Sequence, residues 1–381
     1  MNNKTTNWIE VSRSAVLSNL DNLSQLAGRK TKIAVAVKAD GYGHGLREMT
    51  AILSDSDIPY LAVHSTIEAE MVRMSGWDRK IMMVGPVLPE DIDSIFRLDL
   101  EPIITEPSIL AQLGKFCRKS SINTRIHLKT ETGTNRQGMT EAELKKVITI
   151  LKKYPELTVQ GVSTHFANIE DTTDHSYAKT QLKRFKQLVG ILKKAGVKPR
   201  LRHTACSAAL LLFKETYFDL ARPGISVYGY WPSTETYVSY RLGGGKNSIL
   251  TPALSLYSRI TQIKTIEADN FIGYGCTYRT TSRTKIAILP IGYSDGLDRR
   301  LSNLGYVLIN GRRAPIRGRI CMNLTMVDIT DIPRVKLYDK ATIIGIDGKE
   351  TISADTHASW CQSINYDILA GLSPLVPRFI V

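Results

Sequence analysis

The chain has 381 residues, 43% of them hydrophobic and 23% charged, which is enough for a large core and two domains. Its net charge of +14 is spread along the sequence and reads as a solvated basic surface, with no nucleic-acid-binding signature beside it. No apolar run approaches the roughly 18 residues of a membrane span. The N-terminus, Met1–Asn7, carries no apolar signal region. The five scattered cysteines form no Cys-x-x-Cys pair. The expectation is therefore a cytoplasmic protein with free thiols, no metal site, and neither nucleic acid nor membrane as partner.

A helical pattern over Ser14–Ala27 precedes a predicted strand, Lys32–Lys38. Further strands are predicted at Tyr60–Ser65, Lys80–Gly85, Leu100–Thr105, Ile122–Lys129, Thr158–Phe166, Leu201–Ser207 and Phe218–Tyr228. Segments with 3.6-residue apolar spacing lie between them, Thr140–Tyr154 and His175–Ala195 among them. Eight strands alternating with helices predict an α/β fold, a (β/α)8 TIM-like barrel rather than an open doubly wound sheet. In the first strand Ala34, Ala36 and Lys38 share the face that suits a crowded barrel interior. Ile33, Val35 and Val37 share the face that suits packing under helices.

From Arg241 the pattern changes. Gly243-Gly244-Gly245 punctuates the chain, and β-branched runs follow from Ala253–Ile266 to Ala341–Ile346, with turn signals at Asn310-Gly311 and Asp347-Gly348. The expected division is a barrel over residues 12–240 and a mainly β C-terminal domain over 241–381, which the N-terminal strand 1–11 joins.

A (β/α) barrel builds its site at the C-terminal ends of its strands. At those ends lie Lys38, Lys129 with Arg136 in the following loop, His165, His203 before Cys206-Ser207, and Arg222 before Pro223-Gly224-Ile225. Such a set, poor in carboxylates and opened by glycines, suits an anionic phosphate and a carboxylate substrate. A lysine that ends an apolar strand loses hydration, which makes its amine a usable base or imine former near neutrality.

Val37-Lys38-Ala39-Asp40-Gly41-Tyr42-Gly43-His44-Gly45 resembles the pyridoxal-phosphate attachment motif of alanine racemases. The resemblance runs on in family order. It takes in Lys129–Arg136, Thr164-His165-Phe166, His203–Ser207, Arg222–Ile225, Gly273-Tyr274-Gly275, Ile291–Gly296, Gly318–Met322, and Tyr366 with the terminal Val376-Pro377-Arg378. It implies pyridoxal 5'-phosphate (PLP) as cofactor and an enzyme that removes and returns the Cα proton of an amino acid. Inversion needs acid–base groups on both faces. The resemblance makes Lys38 the Schiff-base lysine and the base for the D-enantiomer, and Tyr274, contributed by the other subunit of a homodimer, the base for the L-enantiomer. A phenol ionises near pH 10, about three units too high for a neutral base, and His165 and its cationic surroundings are expected to help it. The resemblance sets Arg222 against the pyridine nitrogen, with His203 supporting it or the ring. Tyr42, Ser207, Gly224, Ile225 and Tyr366 match the phosphate set, Arg136 and Met322 the substrate-carboxylate site, and Lys129 a lysine carbamylated in some relatives. His64, His127, His175 and His357 are read as structural or exposed.

The chain departs from the family pattern at Cys206, commonly Asn, and at Asn323, commonly Asp. Gly41 and Pro223 are lesser departures. These positions bear on cofactor electronics and substrate range. The expected activity is alanine racemisation for peptidoglycan precursors. The alternatives are a serine or broad-specificity racemase and a non-catalytic PLP-binding protein.

Overall fold

The computed structural model describes residues 5–246 and 249–381. The chain divides into two compact units. One comprises Ala15–Gly41 and Met49–Thr251; the other comprises the N-terminal residues through Ser14, Tyr42–Glu48 and Pro252–Val381.

Strand β1 (Asn7–Val11) belongs to the second unit, where it pairs antiparallel with Leu254–Arg259 and parallel with Arg378–Ile380. The first unit holds eight parallel strands: β2 (Lys32–Ala36), β3 (Tyr60–Val63), β4 (Lys80–Met83), β5 (Leu100–Ile104), β6 (Thr124–Lys129), β7 (Leu157–Ser163), β8 (Leu201–His203) and β9 (Leu220–Ala221). They run in the order β8-β7-β6-β5-β4-β3-β2-β9. Among the described residues no ladder joins β8 to β9. Instead the Asp219 N–H donates to Arg202 O at 3.1 Å and the Arg222 N–H to Ala205 O at 2.8 Å, and these two bonds close the ring. The eight-strand barrel is thus the observed fold.

Ala34, Tyr60, Ala62, Met82, Ile103, Leu201 and Leu220 pack together in the barrel, and Ala36 and Val84 pack against them. Ala34 and Ala36 lie on the inner face, as the alternation in the sequence requires, while Ile33, Val35 and Val37 are buried on the other. Full burial of such side chains stabilises the fold by about 1.5–3 kcal/mol each. Small alanines on β2 leave room for the bulkier Tyr60 and Met82 across the barrel.

All eight barrel strands are shorter than the sequence suggests, and in three of them the local reason is plain. β2 ends at Ala36 because Ala39, Asp40, Gly41 and Tyr42 all take positive φ, between 51° and 60°. β8 ends at His203, and Ser207 opens the helix Ser207–Leu212. β9 keeps two residues because Pro223 has no N–H to continue a ladder, and a 3₁₀ turn follows at Ile225–Tyr228. Helical order persists through Thr234–Leu242 up to Gly243.

The second unit is mainly β. Its largest sheet places β1 between Leu254–Arg259 and Arg378–Ile380, and Leu254–Arg259 pairs in turn with Lys340–Asp347. A second sheet joins Gln262–Ile266, Thr284–Leu289 and Thr325–Asp328. Among the described residues no helix is long and apolar enough to cross a membrane.

Candidate active site

The barrel mouth gathers cations. Burial and the nearby Arg136 push the Lys38 amine below the usual lysine range, and only Glu68 opposes them. Glu68 also accepts the Ala39 N–H at 2.8 Å and the His64 N–H at 2.6 Å, which anchors the left-handed turn after Lys38. Burial, then Arg222 and Arg136, push Lys129 down to about 8. Burial, Arg222, Lys129, Arg136 and Lys38 hold His165 well below the usual histidine range, so it is a neutral ring at physiological pH. Lys38, Lys129, Arg136, His165 and Arg222 therefore share one electrostatic environment, as the strand-end reading expects.

The loop that presents Arg136 is held from below. The Glu131 carboxylate accepts the N–H groups of Gly133 and Asn135 at 2.5 and 3.0 Å. Gln181, fully buried on the helix Ser176–Lys194, donates to Thr132 Oγ1 and His165 O at 3.2 Å and accepts the Ala167 N–H at 2.9 Å. One amide thus ties the Arg136 loop to the His165 loop. Sequence reasoning missed Gln181, which looks like any polar residue in a basic helix.

Arg222 donates through Nη1 to His203 Nδ1 at 2.5 Å and to His203 O at 2.7 Å, and through Nη2 to Thr164 O at 2.8 Å. Burial lowers it to about 10, which leaves it a cation at neutral pH. His203 is thus paired with Arg222 through both its ring and its carbonyl. Behind it, His203 Nε2 lies 2.8 Å from His127 Nδ1, and His127 Nε2 lies 3.0 Å from Glu101 Oε2. His127, expected to be structural or exposed, is fully buried in this series, and Glu101 went unnoticed in the sequence. The available signal was alternation: Arg125, His127 and Lys129 occupy one face of β6. Burial, and then the nearby Glu170 carboxylate, push the Cys206 thiol up to about 12, so it stays a neutral thiol.

The turn after β9 is built for an anion. Ser207 Oγ accepts the N–H of Gly224 at 3.0 Å and of Ser226 at 3.3 Å. Those bonds leave the hydroxyl proton of this buried serine to donate elsewhere. Gly224 spends its N–H on Ser207, so it shapes the cradle. Ile225 follows it at the start of the 3₁₀ turn. A buried hydroxyl with a proton to give, a permanent cation and a desolvated amine fit a phosphorylated pyridine aldehyde, the chemistry of PLP.

In the second unit Tyr42 and Tyr366 lie side by side, with ring centroids 6.1 Å apart. Gly43 makes that approach possible: a Cβ there would sit 1.8 Å from Leu369 O, and its φ is 78°. Arg378 donates to Gly43 O, Leu372 O, Ser373 O and Val376 O at 2.6–3.4 Å and binds the terminal segment to this loop. Gly43→Ala should therefore destabilise the protein by about 2–4 kcal/mol, measured by urea unfolding. A loss below the error of that measurement would contradict the close packing.

Tyr274 is 72% exposed and opens a short 3₁₀ turn between Gly273 (φ 74°) and Gly275 (φ 73°). Met322 is 57% exposed. Its carbonyl accepts from Ser294 N–H at 3.0 Å and Ser294 Oγ at 2.9 Å, while Asn323 Nδ2 donates to Ser294 Oγ at 2.6 Å. Asn323 thus steadies the Met322 loop from its own side chain.

A parallel barrel whose first strand runs into a desolvated lysine, with a serine-braced turn after its last, has the architecture of an enzyme that uses a phosphorylated cofactor. The comparisons with known proteins agree over the whole chain. Residues 11–232 match the family described as "Alanine racemase, N-terminal domain", and residues 253–380 match "Alanine racemase, C-terminal domain". An alanine racemase of Leptospira interrogans is 37% identical over 100% of this chain and 97% of its own length. The crystal structure of the Bacillus anthracis alanine racemase with bound L-Ala-P is 33% identical, with a TM-score of 0.92 over 100% of this chain and 96% of that one. The alanine racemase of Clostridium difficile 630 is 28% identical, with a TM-score of 0.92 over 99% of this chain and 96% of that one. The chain belongs to the alanine racemase family, whose members are PLP-dependent isomerases.

Proposed function

We propose that this protein interconverts L- and D-alanine with two bases on opposite faces of the bound amino acid, Lys38 on the D side and Tyr274 on the L side. The observation that carries the reading is Lys38, an amine held below its ordinary range at the mouth of the barrel beside Arg136. Bound PLP supplies the electron sink that makes the Cα proton acidic. The chain's residues supply the rest. Lys38 Nζ takes or returns the proton on one face and the Tyr274 hydroxyl does so on the other. Arg136 grips the substrate carboxylate through its fork, aided by the Met322 N–H. Arg222 would hold the pyridine nitrogen with N–H groups that it does not release, and would so keep that nitrogen unprotonated. Ser207, Tyr42, Tyr366 and the Ile225 N–H would hold the phosphate, in a turn that Gly224 shapes. His165, neutral and surrounded by cations, offers its ring to the Tyr274 phenol.

The exposure of Tyr274 and Met322 supports a homodimer in which each subunit completes the other's site. A mixing experiment tests this arrangement. Lys38→Ala and Tyr274→Phe chains should each be inactive alone. Unfolded together and refolded, they should recover about a quarter of wild-type activity, because half of the random dimers carry one intact site of two. No recovery would contradict shared sites.

Lys129 fits a carbamate. Its lowered amine is neutral often enough to add CO₂, forming an N–C bond and releasing a proton, and the resulting anion would offset Arg136 and Arg222. A crystallographic map is expected to show a planar group beyond Nζ; density ending at Nζ would refute it.

A second reading, serine or broader racemisation, uses the same bases. Asn323 favours it, because an amide on Ser294 replaces the carboxylate usual in relatives and makes the substrate side less negative. Chiral analysis of alanine and serine after incubation with the PLP-loaded protein separates the two readings by rate. We place the enzyme in the cytoplasm, where its five free thiols are stable, supplying D-alanine for peptidoglycan.

A further inference from the structure

Four residues from four places in the sequence form one buried series through the barrel: Arg222, His203, His127 and Glu101. His203 and His127 are fully buried, and Glu101 is 1% exposed. Geometry alone fixes the direction of every proton in the series. Arg222 Nη1 meets His203 Nδ1 at 2.5 Å, and a guanidinium can only donate, so Nδ1 carries a lone pair. The proton of His203 then sits on Nε2 and points to His127 Nδ1 at 2.8 Å, which must accept. The proton of His127 sits on its Nε2 and is donated to Glu101 Oε2 at 3.0 Å. At the far end Glu101 also accepts from Tyr60 OH at 2.8 Å and Arg125 Nε at 2.7 Å.

The barrel is shaped around this series. A Cβ on Gly161 of β7 would lie 2.1 Å from His127 Nδ1 and 3.0 Å from His203 Nε2, so only glycine leaves space for the two rings to meet. The pairing of β6 with β7 shifts register at this level: Ile126 faces Val159, and His127 faces Gly161. Gln160 is the residue passed over, and its amide donates to Tyr60 OH at 3.4 Å. The bulge thus brings Gly161, and not Gln160, beside His127.

We propose that Glu101 and His127 are positioning residues for Arg222, acting through His203. His203 can offer Arg222 a lone pair in only one ring orientation and one tautomer, and the two residues behind it lock both. A flipped or reversed His203 would set N–H against N–H at one end of the series. Arg222 has hydrogen bonds only to His203 and Thr164 among the described residues, with no carboxylate of its own. Glu101 supplies the negative end of the series, two imidazoles away from Arg222. The role assigned to Arg222 at the pyridine nitrogen rests on the racemase reading above, whereas the proton directions do not.

Long-range ¹H–¹⁵N spectra of histidine-labelled, cofactor-free protein test the series directly. His203 and His127 are both expected as neutral rings protonated on Nε2; an Nδ1-protonated or doubly protonated ring at either position would overturn the proposal. Kinetics of the PLP-loaded protein test the coupling. His127→Phe, which keeps a ring but no polar atom, should lower kcat by about 10–100-fold, with KM within about threefold of wild type. His127→Gln keeps an acceptor for His203 and a donor for Glu101, and should restore most of that loss. Wild-type kcat in the Phe variant, or equal losses in both, would overturn the coupling; if the Phe variant does not fold, the spectra decide. A wild-type protein without racemase activity but with both rings protonated on Nε2 would sink the racemase reading and leave the series standing.

Discussion

Lys38→Ala is expected to abolish racemisation of both enantiomers. The base itself is worth about 10²–10⁴-fold, and the variant also loses the amine that joins the cofactor. Lys38→Arg should fail as completely, because it keeps the positive charge while it can neither bond the aldehyde nor give up a proton at neutral pH. Borohydride reduction and peptide mass spectrometry should find the cofactor fixed to Lys38 in the wild type and to no residue in either variant. The reason lies in the fold. The left-handed turn from Ala39 to Tyr42 stops the strand at Ala36, and Glu68 anchors that turn at the Ala39 N–H. The amine is set at the strand end, where burial and Arg136 loosen its proton. Retained turnover in Lys38→Ala would remove the central residue from the account.

Tyr274→Phe should separate the two faces of the reaction. Racemisation is expected to fall by about 10²–10⁴-fold in both directions, since inversion uses both bases. Exchange of the Cα proton with solvent should persist for D-alanine, where Lys38 acts, and disappear for L-alanine. Following exchange and chirality together in D₂O measures this. Equal loss of exchange from both enantiomers would mean that Tyr274 supports the site without acting as the base on one face.

Much of the barrel can be read from the sequence because each strand is a short apolar run between helical patterns, and period-two alternation places Ala34 and Ala36 inside. The strand ends are harder to read. A run such as Leu201–Ser207 is β-like in composition, but pairing stops at His203 and the remainder turns into a helix N-terminus. Phe218–Tyr228 is shortened by one imino acid, Pro223, which removes a ladder donor. The strand-end cations were legible because a barrel puts strand ends together. The series from Arg222 to Glu101 was not. Its members lie on or beside four different strands, and their partners depend on a one-residue register shift at Gln160 that no local pattern signals. The exposed Tyr274 and Met322 carry no sequence pattern of their own, and the roles proposed for them rest on resemblance to a family.

The most direct test of the central claim is proton NMR of the PLP-loaded protein in D₂O, with L-alanine and L-serine supplied separately and chirality followed alongside. Loss of the alanine Cα signal together with appearance of D-alanine, much faster than for serine, is the predicted result. Faster turnover of serine would contradict the alanine assignment and direct attention to Cys206, Asn323 and the Tyr366 segment. A cofactor-loaded protein that exchanges neither proton would contradict the two-base account altogether.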